Sequence, residues 1–590
     1  MRNKVVLVLL ILASIPFLSS CGKGKDVKPN ILLITIDTLR RDHLGVYGYP
    51  RETSPFMDRL AREGMMFKHV VTPLPSTAPS HASILTSLHP MTHGVSSNAA
   101  PLTDKAQTIA EVLEQGGYYT IGTVAAGFLT SQYNFSQGFD SFSDKWETKP
   151  KINTPFDRVA EMVNESLFRQ IDDYLLHPQN KKKPLFIWVH YFDPHFPYRD
   201  IKSITFKTKL QEHPHRKTIE LYDKEIRYTD EHIEKLYEYL KKKGIGKRMT
   251  TCITADHGEE FGEHGTANGH ADFYSEDTFV PLILHGYGIP RGKAIDQYIS
   301  TMDIPVTLLK MANLAFSHDV EGIDLLESYK KPGTHDNRKM LIMGNGRYTR
   351  SLQLLAYPWS YILNLDYHYE YWYTGYQRNL PIPADAFKTV KKGWIKMKKN
   401  TMSVPLPYVM KEGLSYIVFQ ADIPKNKGFR LQIEMVPYSL TQNIEISPNH
   451  NTLTVIYPAA VQDRIIVLFK LQNGTIIDTD HLRYAFISKE EFPVDLNSLE
   501  KIGNEVYEKF PTLRKNKDKD EWFDLSKDIY MKNDLIEVEQ FKPHILEYHK
   551  MIYIAYKYFF RKGKKLLKGK MTKENLTEED KKMLKTLGYL

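Results

Sequence analysis

Acidic and imidazole side chains gather at two places in this chain, each directly after an apolar run. Asp37 follows NILLITI (30–36), and Asp256 and His257 follow TTCITA (250–255). Beyond the second run, Asp256, His257, Glu259, Glu260, His264 and His270 crowd into fifteen residues. Such a stretch is poor in core-building side chains and calls for a chemical reason. Two carboxylates and an imidazole at strand ends suit a divalent cation such as Zn, Mn, Mg or Ca. A lone Asp after a strand serves more often as a helix cap. A third element is STAPSHASILTSLHPMTHG (76–94). Pro79 suits a first helical turn, which puts Thr77 at or just before a helix amino terminus, where free N–H groups meet anions. A hydroxyl there, close to a cation, is either an activated nucleophile for a phosphoryl group or an N-cap and nothing more.

These groups need a scaffold. NILLITI, YTIGTV (119–124), PLFIWV (184–189), TTCITA and FVPLIL (279–284) read as buried strands. TSPFMDRLAREG (53–64), QTIAEVLEQGG (107–117) and YTDEHIEKLYEYLKKKG (228–244) have helical spacing and end in Gly. Strands alternating with helices predict one large α/β domain over 30–335, with ligands held beyond the carboxyl ends of the strands. The pattern changes after that. Residues 336–404 read as a linking part of a smaller carboxyl-terminal region, with an aromatic stretch at 367–376 that suits either a sugar or lipid groove or ordinary packing. Residues 405–495 read as an antiparallel β-rich module, and 496–590 return to mixed and helical character. The basic tract FFRKGKKLLKGK (559–570) reads as a solvated helix, with a surface for anionic headgroups as the alternative.

Composition excludes several classes. The chain has 590 residues, 42% hydrophobic and 25% charged, which is ordinary for globular protein and rules out wholesale disorder and a multi-span membrane protein. A net charge of +9 over this length is too mild for a dedicated nucleic-acid binder. Two cysteines, Cys21 and Cys252, exclude a disulfide framework. Cys252, inside a strand candidate, is expected to be a buried inert thiol. Residues 1–20 read as a signal peptide: Arg2 and Lys4, the apolar run 5–18, then Ser19, Ser20 and Cys21. The end resembles the lipobox of bacterial lipoproteins, which implies lipidation of Cys21, a tether over 21–29, and a lipid-anchored location at a bacterial cell envelope, facing periplasm or exterior.

The chain as a whole resembles the sulfatase branch of the alkaline phosphatase superfamily. NILLITIDTLRRDHLGVYGY (30–49), the segment 54–95, FIWVHYFDPHFPY (186–198), ITADHGEEFGEHG (253–265), TFVPLILHG (278–286) and MDIPVTLLKMANL (302–314) carry the resemblance. EWFDLSKDIYMKNDL (521–535) and LKTLGYL (584–590) extend it. The resemblance implies a mixed sheet flanked by helices, with a smaller carboxyl-terminal region. It also implies Asp37, Asp256 and His257 as ligands of one divalent metal, Thr77 as nucleophile touching that metal, and His195 as the group contacting the substrate or protonating the leaving group. His264 and His270 match a region that lies near substrate oxygens, and His93 matches another inner position. Arg40 and Asp42 match supporting positions. One tightly bound metal is expected, with a second left open.

The departures from the family steer the expected chemistry. True sulfatases carry Cys or Ser where Thr77 stands, converted to formylglycine. Threonine's hydroxyl carbon is secondary, so its oxidation gives a ketone and not the aldehyde. Ser76 lies one position early. His81 replaces an arginine, Ser87 a glycine, and the usual Asp-Asp pair is Asp37-Thr38. These changes resemble threonine-nucleophile relatives, so a phosphoester hydrolase or phosphoryl transferase is expected, acting on a small-molecule, lipid or glycan ester. The alternatives are a sulfatase whose threonine works unmodified, and an inactive surface binding protein.

Overall fold

The computed structural model describes residues 28–144, 159–210, 212–264, 267–270, 273–332, 338–343 and 351–364. It also describes strands between Lys388 and Ser488, residues 521–536 and 538, and the helix Lys542–Lys568. Cys21 with its apolar run, the aromatic stretch 367–376 and the segment 584–590 lie outside the described residues. Among the described residues no helix is long and apolar enough to cross a membrane.

The amino-terminal part is built on an eight-stranded mixed sheet. Its strands are β1 (Asn30–Ile36), β2 (Met65–Val71), β3 (Tyr119–Thr123), β4 (Ser141–Ser143), β5 (Leu185–Tyr191) and β6 (Met249–Ala255), with β9 (Phe279–Gly286) and β10 (Lys293–Ser300). The short pair β7 (Glu260–Phe261) and β8 (Ala267–Gly269) forms its own ribbon. Across the large sheet the order is β10-β2-β9-β6-β1-β5-β3-β4. β1 sits in the middle, parallel to both neighbours: Ile36 registers with Tyr191 of β5 and with Ala255 of β6. Ile31–Ile36, all of β5 and all of β6 are buried, which is why they read as unbroken apolar runs. The parallel register ends three strands at one edge, so Asp37 and Asp256 emerge side by side although 219 positions separate them in sequence.

The expected strands and helices are present, with informative differences. β2 and β10 were not legible. β10 is an edge strand whose first residues are mostly exposed, so it lacks a clear apolar signature. β9 runs antiparallel to β2 and β6, which makes the sheet mixed. The helices α1 (Pro55–Glu63), α2 (Thr77–Thr86), α3 (Pro90–His93), α4 (Ile109–Gln115), α5 (Ala160–Leu176) and α6 (Arg216–Lys242) flank it. α6 starts twelve residues before its expected start, because Ile219, Tyr222 and Ile226 continue the buried face. α4 carries the capping box that its sequence offers, Thr108 with Glu111. Cys252 is buried and free, as expected.

A small antiparallel sheet follows: β11 (Met340–Met343), β12 (Ser351–Ala356) and β13 (Trp359–Asn364). The strand Glu521–Asp524 completes it by pairing with β13. Between Lys388 and Ser488, nine strands form two antiparallel sheets of four and five. These include the runs at 415–422, 429–436, 452–459 and 464–470. The helix Lys542–Lys568 packs on α3. Phe559 stacks on His89 at 4.1 Å, and a side chain at Gly563 would meet Met91 O at 2.2 Å, so only glycine allows this approach. Lys562 pairs with Glu321 at 2.7 Å. The described part of the basic tract, 559–568, is therefore packed along one side, with Lys565 exposed.

Candidate active site and cation pocket

Asp37, Asp256 and His257 are fully buried at the strand ends, and one donor atom from each lies within 4.8 Å of the others. His257 Nδ1 is 2.9 Å from Gly258 O. A carbonyl only accepts, so Nδ1 carries the proton and Nε2 keeps its lone pair. That lone pair faces Asp256 Oδ2 at 3.5 Å and Asp37 Oδ1 at 3.8 Å. Asp256 Oδ2 is buried without a hydrogen-bond partner. Three electron-rich atoms converge, an arrangement that fits a divalent cation by its donor chemistry. The electrostatics agree. Burial pushes the Asp256 carboxyl up to about 6, against the pull of His81 and of the N–H groups of His257 and Thr38. Burial pushes His257 down to about 3. A bound cation favours the deprotonated form of both groups.

Local backbone geometry serves this pocket. Asp37 N–H donates to Tyr191 O at 2.9 Å, which holds the end of β1 to β5. Thr38 has φ +51°, a conformation unfavourable for a β-branched residue. It aims Thr38 N–H at Asp256 Oδ1 at 3.2 Å, while Tyr222 Oη donates to Thr38 O at 2.7 Å.

Thr77 is the first residue of α2, and its Oγ1 lies 3.5 Å from His257 Nε2. The Ser76 side chain makes no cap to α2. Asn98 Oδ1 does that work instead, accepting from Ala78 N–H at 2.9 Å and from Ser76 Oγ at 3.0 Å. Ser80 Oγ donates to Asp256 O at 2.8 Å, tying α2 to the end of β6. Thr38, Asn98 and Ser80 hold the pocket's backbone in place, and their sequence positions alone gave them no role. Their side chains are common in turns and caps, and only the fold brings them to the site.

Two further expected residues reach the same place. The His270 ring lies 4.0 Å from that of His257, centroid to centroid, and the His195 ring 5.7 Å from that of His270. His195 Nδ1 donates to Phe196 O, leaving Nε2 with a lone pair. Burial pushes His195 down to about 4 and His270 well below the usual imidazole value. The other two expected residues have contacts of their own. His264 stacks on Tyr274 at 3.5 Å and faces Glu276 Oε2 at 3.5 Å. His93 sits behind α2, its Nε2 3.0 Å from Ser83 Oγ and its Nδ1 accepting from Val95 N–H at 3.1 Å. Arg40 bridges Asp42 at 2.8 Å and Glu263 at 2.6 Å and donates to Glu259 O at 3.0 Å, a network that pins the loop after β6 to the loop after β1.

With this geometry in place, comparison with known proteins finds the following similarities. Residues 29–314 match the family described as Sulfatase. The chain is 26% identical over 396 residues to an ulvan-active sulfatase of Formosa agariphila, covering 60% of this chain and 77% of that protein. It is 25% identical over 402 residues to the N-acetylgalactosamine-6-sulfatase of Rattus norvegicus, covering 59% and 75%. It is 23% identical over 365 residues to a delta 4,5-hexuronate-2-O-sulfatase of Bacteroides thetaiotaomicron, covering 52% and 73%. In fold it is similar to a solved structure described as in complex with its substrate D-glucosamine-2-N,6-O-disulfate, with TM-score 0.50 and 16% identity, covering 57% of this chain and 88% of that one. The expectation of a phosphoester substrate does not survive this comparison, because these relatives are sulfatases and sulfuric ester hydrolysis is favoured. Thr77 had suggested phosphorus because it excludes a formylglycine. That exclusion concerns the nucleophile alone. Sulfuryl and phosphoryl transfer both need an in-line oxygen and neutralised equatorial oxygens, so the pocket itself does not favour phosphorus.

Proposed function

We propose that this protein hydrolyses sulfuric esters of glycans, with Thr77 acting unmodified. The observation that carries this reading is the position of Thr77 Oγ1 at the amino terminus of α2, 3.5 Å from His257 Nε2 and beside the Asp37–Asp256–His257 pocket. The sulfatase relatives support the ester class, and the glycan names among them support the substrate class. Asp37, Asp256 and His257 hold a divalent cation. Once bound, that cation supplies positive charge beside the Thr77 hydroxyl and the sulfate oxygens.

The chain's own groups then divide the work. Thr77 Oγ1 attacks sulfur in line. The S–O bond to Thr77 forms as the S–O bond to the sugar breaks. His270, neutral and with a lone pair on Nδ1, takes the threonine proton. His195 delivers a proton from Nε2 to the departing sugar oxygen. Burial favours the neutral form of both imidazoles; the negative charge of the bound sulfate ester lets His195 Nε2 take a proton from solvent, and that is the proton it passes to the sugar oxygen. Water then cleaves the sulfothreonine and regenerates Thr77. The test is sulfate release from sulfated oligosaccharides by the cation-loaded enzyme. Thr77→Ala is expected to lose at least about a thousand-fold in kcat, with Thr77→Ser keeping part of the activity. Turnover by Thr77→Ala at the wild-type rate would sink the assignment.

We also propose that residues 1–20 are removed and that Cys21 carries a lipid anchor to a bacterial envelope, supported by the lipobox-like Leu18-Ser19-Ser20-Cys21. Cys21→Ala is expected to leave the membrane fraction. If it sediments like the wild type, there is no such anchor.

A further inference from the structure

Two more imidazoles stand next to the cation pocket. His81, in α2, and His190, in β5, are both fully buried, with ring centroids 4.8 Å apart. Together with Asp256 they offer donor atoms within 4.8 Å of one another, so residue types alone would admit a second cation. The hydrogen bonds argue for a different role. His81 Nδ1 lies 2.7 Å from Thr77 O, a pure acceptor, so Nδ1 carries a proton. Thr35 Oγ1 accepts the Trp188 indole N–H at 3.1 Å and has one proton of its own to give. That proton goes to His81 Nε2, 3.0 Å away. The relay Trp188–Thr35–His81 thus leaves His81 with no lone pair for a metal. At His190, Nδ1 accepts the Ala125 N–H at 3.4 Å, which leaves the ring proton on Nε2. That nitrogen lies 3.5 Å from Asp37 Oδ2, and His81 Nδ1 lies 3.6 Å from Asp256 Oδ2. His190 thus turns its N–H toward Asp37, whereas His81 spends its one N–H on Thr77 O and meets Asp256 only across 3.6 Å.

We propose that His81 and His190 are positioning residues for a single cation and not ligands of a second one: His190 by its Nε2–H facing Asp37, and His81 by its Nδ1–H on Thr77 O, which fixes the start of α2 beside the pocket. The proposal rests on the cation reading of Asp37, Asp256 and His257. It also accounts for His81, which stands where the sulfatases have an arginine. There it is a neutral donor that anchors Thr77 O and faces Asp256 from the same ring atom. Outer partners of this kind typically change metal affinity about 10- to 100-fold.

The test is calorimetric titration of the metal-free full chain with Mn²⁺ alone, with thermal unfolding to verify each fold. His81→Asn keeps an N–H near the Nδ1 position, and His190→Gln keeps one near Nε2. His81→Leu and His190→Leu keep none. The expected result is one equivalent bound by every protein, about 10- to 100-fold more weakly by the Leu variants, with most of the loss recovered by Asn and Gln. Two equivalents in the wild type, falling to one in the Asn and Gln variants, would overturn the proposal in favour of a second metal. So would one equivalent bound with wild-type affinity by both Leu variants. Where a Leu variant does not fold, its Asn or Gln counterpart decides by stoichiometry. No binding of Mn²⁺ to the wild type, repeated with Ca²⁺, Zn²⁺ and Mg²⁺, would instead overturn the cation reading itself.

Discussion

Two carboxylates near the ends of β1 and β6, one partly exposed and one fully buried, behave in opposite ways. Asp42 and Asp256 both lose water, which by itself raises a carboxyl pKa. At Asp42 the Arg40 guanidinium more than reverses that effect and holds the group well below the usual carboxylate range. At Asp256 the neighbours are two imidazoles and two backbone N–H groups, and the carboxyl stays raised, at about 6. The first is an ion pair completed within the fold. The second waits for positive charge from outside. Acidic density alone therefore does not mark a cation site. What marks it is a buried carboxylate beside neutral donors where an arginine would be expected.

The contrast can be broken most sharply at Asp256. Asp256→Asn removes a ligand and is expected to weaken Mn²⁺ binding by more than the roughly 100-fold typical of outer partners, while the metal-free protein keeps its thermal midpoint or gains in it, since the raised carboxyl costs stability above pH 6. A large fall in the metal-free midpoint would mean that the Asp256 charge is already compensated by the fold. Asp42→Asn should do the reverse. It leaves Arg40 with the Glu263 carboxylate and the Glu259 carbonyl, and is expected to cost about 2 kcal/mol in denaturant unfolding, below the range for fully buried pairs because Asp42 is partly exposed. Its Mn²⁺ affinity should match the wild type, and a loss there would merge the two networks into one.

A smaller effect extends the comparison to the far side of α2. Burial pushes His89 down to about 3, while its Nε2 donates to Leu341 O at 3.1 Å. The folded state therefore binds fewer protons than the unfolded state between about pH 3 and 6.5. This group's contribution is complete above pH 6.5 and is lost as pH falls toward 3, at about 1.4 kcal/mol per unit. His89→Gln keeps a donor but does not titrate. Between pH 6.5 and 5.5 the wild type should lose about 1 kcal/mol more than this variant, because the unfolded imidazole is only half protonated at the start of that interval, and equal losses would show that His89 opens to solvent.

The sequence made the central scaffold legible because buried parallel strands are apolar throughout, and β1, β5 and β6 have no polar face to obscure them. Asp37, Asp256 and His257 stood out for a related reason, since polar groups directly after such runs must land at the sheet edge, and Thr77 stood out because Pro79 marks the start of α2. Other features were not. His264 and His270 look equivalent in sequence, yet the chain turns one toward Glu276 and the other toward His257. His81 reads as a helical residue until Trp188 and Thr35, far away in sequence, fix its proton. The choice between phosphorus and sulfur was misread because it rested on one nucleophile atom, whereas the pocket around it suits both centres.

The pairing of β13 with Glu521–Asp524 also sets an order of events during synthesis. β13 is complete at Asn364, so its partner is translated about 10–30 s later at ordinary elongation rates. Gly563 and Phe559, which close over α3, come later still. Until then the nascent chain carries an open strand edge and an uncovered face around His89. Holdase chaperones bind such surfaces, and a ribosome stalled between these points would leave the strand edge available to another chain.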